Sequence, residues 1–261
     1  MPGRKPAMLE TNFADGIYRL ILARPEKRNA INEALIHALE QAVAALPDEA
    51  RVIMVEAQGP HFCAGLDLAE HQTRDARGVF AISQRWQRAF SRLQESGRPV
   101  VVAMAGAVIG GGLELAVTGH IRVADRSSFY QLPEGRHGVF VGGGGSVRIA
   151  RLIGTDRMGE MMLTGRRVDA EEGARLGLSH YLVEPGMASA RARQLALSIA
   201  GNAELANWAI VTALPRIADM SAGDGFYVES LTAALTQTGP EVAARISGFL
   251  QDGPNRQGKM T

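Results

Sequence analysis

The chain has 261 residues, 46% of them hydrophobic and 5% aromatic, with a formal net charge of +1. That length fits one large core with a smaller extension, and so even a charge balance argues against a nucleic-acid-binding face, which needs a basic surface. Cys63 is the single cysteine, so no intrachain disulfide forms and a reducing, cytoplasmic setting is expected. No apolar run reaches the ~18 residues that a membrane span needs. Met1 to Leu9 is basic without an apolar stretch, and reads as an arm rather than a signal peptide.

In chain order, residues 17–22 predict a strand, which Arg24-Pro25 ends. Asn29 or Asn32 is placed to cap a helix in which Ile31, Leu35, Ile36, Leu39, Val43 and Leu46 recur at helical spacing. Residues 52–55 predict a buried strand, and strand–helix–strand order favours a layered α/β fold. In the loop from Gly59 to Leu68, Cys63 reads as a small buried thiol rather than a nucleophile paired with His61. His71 to Gly78 is polar and is the expected mobile segment of the core. Ile82, Trp86, Ala89, Phe90 and Leu93 form the apolar stripe of a packed helix, with Arg85, Arg88 and Arg92 on its flank as a solvated face or a phosphate contact.

Residues 100–104 read as a strand buried on both faces, broken by Gly106. Gly110, Gly111 and Gly112 follow, then a helix carrying Glu114. A helix opening there aims unpaired N–H groups and a positive dipole end at whatever lies above the turn, a setting for an oxygen gaining negative charge. Residues 121–124 predict another strand, after which Glu134 follows Pro133. Neither glycine run fits G-x-G-x-x-G, and neither a G-x-x-x-x-G-K-[ST] nor a G-x-S-x-G motif occurs. Helices are expected at 147–153, 158–164 and 170–176, the last capped by Asp169 and closed by Gly177, then a strand at 181–183. From Met187 only helices are predicted, at 190–200, 205–217, 228–235 and 242–250, with Pro215 as a kink or break. The reading therefore divides the chain into a core, 1–186, and a helical extension, 187–261, with Trp208, Phe226 and Phe249 as core or interface residues.

The ordered motifs carry a resemblance. Arg24-Pro25-Glu26-Lys27-Arg28-Asn29-Ala30, His61-Phe62-Cys63-Ala64-Gly65-Leu66-Asp67, the triple glycine with Glu114, and Leu132-Pro133-Glu134 with Gly138, Gly142–Gly145 and Arg148 are similar to the enoyl-CoA hydratase/isomerase (crotonase) superfamily. Within it, HFCAGLDLAEH and the LPEG–GGGG combination most resemble methylthioacryloyl-CoA hydratases. The resemblance implies an α/β fold, a crotonase-like spiral of ββα turns with a C-terminal helical extension that builds homotrimers or dimers of trimers. It implies an acyl-CoA substrate, with no cofactor beyond that coenzyme A, no metal, no nucleic acid and no membrane partner. The N–H groups of Leu66 and Gly111 would form an oxyanion hole. The carbonyl of Ala64 would meet the adenine end of coenzyme A, and the Gly142 backbone would help hold the catalytic water. Glu114 would activate water and Glu134 would protonate the α-carbon.

This sequence also departs from the family pattern. Glu26 and Ala69 stand where many relatives carry lysine, with Lys27 or Arg28 as substitutes. Gly135-Arg136-His137 replaces a mostly apolar triplet, and Val141 stands in place of proline; His137 reads as a wall or packing residue. Two carboxylates point to a hydratase. An enoyl-CoA isomerase, an acyl-CoA hydrolase, a hydratase-lyase, or a non-catalytic acyl-CoA- or RNA-binding relative are the alternatives.

Overall fold

Residues 7–68, 75–239 and 241–252 are described by this computed structural model, and the chain forms two compact units, Met1–Ala200 and Gly201–Thr261. Among the described residues of the first unit, nine strands are shared between two sheets. The larger sheet runs β1 (Leu9–Ala14), β2 (Ile17–Leu22), β3 (Val52–Ala57), β4 (Val100–Met104), β6 (Ile121–Asp125) and β9 (Tyr181–Val183), parallel except for β1. The smaller sheet holds β5 (Ala107–Ile109), β7 (Phe129–Gln131) and β8 (Arg167–Asp169), with β5 and β7 parallel. Chain order alternates between them. The chain lays β4 in the large sheet and β5 in the small one, then turns through α3 (Gly111–Ala116). Next it lays β6 and β7 and turns through α4 (Glu134–His137). These repeated ββα turns are the expected spiral, and each ends where a glutamate begins or occupies a helix.

The remaining helices of this unit are α1 (Glu33–Ala44), α2 (Ala76–Gln94), α5 (Gly145–Ile153), α6 (Thr155–Thr164), α7 (Ala170–Leu176) and α8 (Ala188–Ala200). Of the two cap candidates, Asn32 takes the role: its side chain accepts the Leu35 N–H at 2.9 Å. The central strands carry unbroken apolar runs because both faces of the large sheet are covered. Leu20, Ile53, Val55, Val100 and Val102 enter a core with α1, α2 and α3. Ile17, Val52, Met54, Val101 and Val123 meet Ala188, Ala192 and Ala196 of α8.

Three expectations change. The first unit runs to Ala200, not 186, because the alanine stripe of α8 belongs to the core of the sheet. In the stretch His71 to Gly78, Asp75 caps α2 by accepting the Gly78 N–H at 2.8 Å, so its end belongs to a helix, while 69–74, including Ala69, lie outside the described residues. β1 escapes sequence reading because five of its six residues are exposed and show no apolar alternation. Its pairing with β2 comes from Asp15-Gly16, with φ of 55° and 74°, a tight hairpin turn.

The second unit holds α9 (Glu204–Ile217), α10 (Ala222–Gln237) and α11 (Val242–Asp252). Pro215 sits in the last turn of α9, which ends two residues later at Ile217. Ser221 starts α10 earlier than the apolar pattern suggests, its hydroxyl accepting the Asp224 N–H at 3.3 Å. Trp208 and Phe226 are 40% and 69% exposed, so neither is a core residue of this chain; the Phe249 side chain lies outside the described residues.

Candidate active site

The site forms where the 61–67 segment, the β5–α3 turn, α4 and the 142–145 loop meet. Cys63 pairs with Val108 of β5: its N–H reaches the Ala107 carbonyl at 2.9 Å and its carbonyl accepts the Ile109 N–H at 3.0 Å. On the other side the Ala64 N–H donates to Arg28 at 3.0 Å, Gly65 accepts from Ile31 at 2.7 Å, and the Asp67 N–H donates to Ile31 at 2.9 Å. The segment is thus stitched down on both sides, yet among the described residues no acceptor is bonded to the Leu66 N–H, nor to that of Gly111. These two amides are neighbours in space. A Cβ on Gly65 would stand 3.4 Å from the Gly111 nitrogen, and one on Gly112 would stand 2.4 Å from the Cys63 carbonyl. Only glycine allows so close an approach of two main chains.

Glu114 is buried, 3% exposed, and its Oε1 accepts the N–H groups of Gly145 at 2.7 Å and Gly143 at 2.8 Å. Burial pushes this carboxyl above the usual carboxylate range; the amides of Gly145 and Gly143 and the positive charge of Arg148 pull the other way. Glu134 opens α4 and is 7% exposed, with its Oε2 buried and without a hydrogen-bond partner among the described residues. A Cβ on Gly110 would lie 3.0 Å from Glu134 Oε1, so this carboxyl hangs over the turn that leads into α3. Burial, and then the charge of Glu114, push Glu134 up to about 7. The two carboxylates therefore share one neighbourhood with different partners: one carries amide donors, the other carries none on its free oxygen. Such divergent settings are what separates a base from an acid.

The other sequence candidates fall into place around this pair. Ala64 is half-buried in the same segment as Leu66. Gly142 is half-buried, and its carbonyl accepts the Ser83 hydroxyl at 2.7 Å. Cys63 is fully buried, donates its thiol to the Asn29 carbonyl at 3.0 Å, and is pushed up to about 12 by burial. It is a packing residue, not a nucleophile. His61 uses Nδ1 to accept the Ala107 N–H at 3.2 Å, and His137 is exposed with its ring against the Pro133 carbonyl at 3.1 Å. On α2, Arg85 is held by Glu40 at 2.9 Å and Arg88 and Arg92 are exposed.

Sequence reasoning missed the supports. Asn29, at φ 55°, donates from its side chain to the carbonyls of Gln58 at 2.9 Å and His61 at 2.8 Å and accepts the Arg24 N–H at 2.9 Å. Asp67, beside Leu66, forms a buried pair with Arg24 at 2.7 Å. Trp86 lies so close to Gly111 that a Cβ there would meet the ring at 2.8 Å. In the sequence Asn29 and Asp67 stand inside the two upstream motifs and Trp86 in the apolar stripe of α2, but their partners here are set by the fold. Elsewhere a cavity of about 210 Å³ is lined by residues that include Glu56, His61, Asp125 and Ser189. Its carboxylates are already engaged, Glu56 by Arg19 and Ser189, Asp125 by Ser127 and Gly186. Among the described residues no cluster could hold a metal ion, and no helix is long and apolar enough to cross a membrane.

Comparison with known proteins identifies the family. A family model described as enoyl-CoA hydratase/isomerase matches residues 12–245. The chain belongs to that family. It is similar to "Probable enoyl-CoA hydratase 2, mitochondrial" of Arabidopsis thaliana, 32% identical over 219 residues, covering 83% of this chain and 73% of the relative. It is likewise similar to "Enoyl-CoA isomerase/hydratase fer4" of Mycosarcoma maydis, 34% identical over 220 residues, with 73% and 80% covered. Among solved structures, one provisionally described as an enoyl-CoA hydratase from Rhodopseudomonas palustris CGA009 superposes with a TM-score of 0.91 at 46% identity, covering 94% of this chain and 95% of the other. The crotonase fold is therefore shared over nearly the whole chain.

Proposed function

We propose that this crotonase-family protein is an enoyl-CoA hydratase, adding water across the 2,3 double bond of an α,β-unsaturated acyl-CoA thioester. The observation that carries the reading is the pair of buried carboxylates in opposite settings, Glu114 against loop amides and Glu134 with an unpartnered oxygen. Water attacks the β-carbon while Glu114 takes its proton, and electrons move onto the thioester oxygen. The N–H groups of Leu66 and Gly111 stabilise the resulting enolate oxygen, one such donor being worth roughly 3 kcal/mol of transition-state stabilisation. Glu134 then gives its proton to the α-carbon as the enolate collapses, and proton exchange with solvent resets both groups. The Ala64 carbonyl meets the adenine end of coenzyme A, and the Gly142 backbone helps seat the water. Apart from coenzyme A in the substrate, no cofactor enters this chemistry.

The sequence resemblance favours a short or sulfur-containing acyl chain, methylthioacryloyl among them, as the substrate. A spectrophotometric panel of short, long, branched, aromatic and sulfur-containing enoyl-CoAs tests both points. Loss of the conjugated-thioester absorbance with formation of the 3-hydroxyacyl product is the expected result. A shift of the double bond without uptake of water would establish an isomerase instead, and inertness across the panel would end the enzymatic reading.

A further inference from the structure

The amides that hold Glu114 are themselves held from behind by a polar stripe on α2. The peptide between Gly142 and Gly143 is gripped at both ends: Ser83 Oγ donates to its carbonyl at 2.7 Å while its N–H donates to Glu114 at 2.8 Å. The next peptide carbonyl, Gly143, accepts Arg148 Nη1 at 3.1 Å. The same guanidinium donates Nη2 to Ser91 Oγ at 2.7 Å and Nε to Gln94 Oε1 at 2.6 Å, so one planar fork joins α5, the loop and α2. A Cβ on Gly144 would stand 2.3 Å from Arg148 Nη1, so the loop and the fork are pressed together. Ser83, Ser91 and Gln94 share one face of α2, next to the apolar stripe that the sequence shows there.

We propose that Arg148, braced by Ser91 and Gln94, together with Ser83, is a positioning device that fixes the two loop amides against Glu114. Hydrogen bonds in such a chain polarise one another, so the Ser83 donor strengthens the Gly143 amide on the other side of the same peptide. Arg148 grips the following peptide and acts by position and charge. Among the described residues Arg148 also supplies the positive charge that acts on Glu114. From α4 the facing ionisable group is Glu134; from α2, Glu95 acts on Arg148; β5 brings none. The device acts through Glu114 and, at Ser83, through the Gly142 backbone beside it. This inference rests on the role given to Glu114 above, and its test separates the two.

The experiment compares Arg148→Met, Arg148→Lys and Ser83→Ala in pH–rate profiles and in isotope-edited infrared titration of the Glu114 carboxyl, with Glu114→Gln assigning the band. Arg148→Met removes the charge that favours ionised Glu114, so the titration and the acid limb of kcat/KM should move up by about one pH unit. Arg148→Lys keeps the charge but not the fork. Its acid limb should stay, while kcat falls roughly 10-fold with KM little changed, as for a mispositioned catalytic group. Ser83→Ala should behave like Arg148→Lys. An unmoved Glu114 titration in folded Arg148→Met overturns the proposal whatever the activity. Should Arg148→Met not fold, wild-type kcat in both Arg148→Lys and Ser83→Ala overturns it. A wild-type protein that turns over no enoyl-CoA sinks the hydratase reading alone, because the infrared titration still reports on the device.

Discussion

The Gly145 N–H reaches Glu114 Oε1 at 2.7 Å across 31 residues of sequence, tying the first turn of α5 to a carboxylate inside α3. A Cβ at position 145 would lie 2.8 Å from both Cγ and Oε1 of Glu114. Gly145→Ala should therefore displace the carboxylate rather than unfold the protein. We expect kcat for hydration to fall at least about 10²-fold while overpacking costs ~1–3 kcal/mol. Unchanged kcat in that variant would mean that Glu114 does not work from the position its amides define.

The two glutamates should fail as a unit. Glu114→Gln and Glu134→Gln are nearly isosteric, and each should lower hydration by roughly 10²–10⁴-fold, the range for losing one general acid or base. The double variant should be far less impaired than the product of the single losses. Glu134→Gln should also slow exchange of the substrate α-proton with solvent. A Glu134→Gln enzyme that hydrates normally while Glu114→Gln is dead would leave a one-carboxylate isomerase as the better account.

Glu134 also makes stability depend on pH. Its carboxyl titrates at about 7 in the folded protein against 4.5 ordinarily, so between these values the unfolded chain releases a proton that the folded one keeps. The contribution of neutral Glu134 is fully present below 4.5 and is lost as pH rises through 7. Glutamine cannot ionise. Glu134→Gln should match wild type near pH 4.5 and exceed it above pH 7, by at most about 3 kcal/mol. Denaturant melts across that range would read this, and a constant difference at every pH would count against a neutral buried Glu134.

Cys63 should be silent toward thiol reagents in the native state. Its thiol is fully buried, bonded to Asn29, and pushed up to about 12. Ellman's reagent at about pH 8 should label it only on unfolding, since the thiolate is the reactive form. Fast stoichiometric labelling of folded protein would show that the 61–67 segment opens.

The helices after residue 200 are proposed to build trimers, alone or paired. Within this unit Ile210, Leu214, Phe226, Tyr227 and Leu231 are each more than half exposed, and exposed large apolar side chains gathered together mark association surfaces. Light scattering at low micromolar concentration should give a multiple of three chains. A fully active monomer would remove the proposal.

The parts of this fold legible in the sequence are those with one dominant cause. β3 and β4 announce themselves as unbroken apolar runs, and Asp169 caps α7 where its pattern begins, accepting the Glu172 N–H at 2.7 Å. Glu114 stands out in the sequence through the triple glycine before it, whereas Glu134 stands out only through the family resemblance. What stayed hidden depends on partners far along the chain. Ser83 looks like any polar residue on an apolar-striped helix until Gly142 is folded against it, 59 residues away. The β5–β7–β8 sheet was missed because three-residue strands are too short to show a period. Asp67 reads as a loop acid until Arg24 is set beside it.

Helix α8 also decides where this chain can be shortened. A protein ended at residue 186 would keep every strand of the large sheet yet present Ile17, Val52, Met54, Val101 and Val123 to water as one apolar face, an invitation to aggregate. Ending it at Ala200 keeps the alanine stripe in place, so that cut is the one for asking what the last three helices contribute on their own.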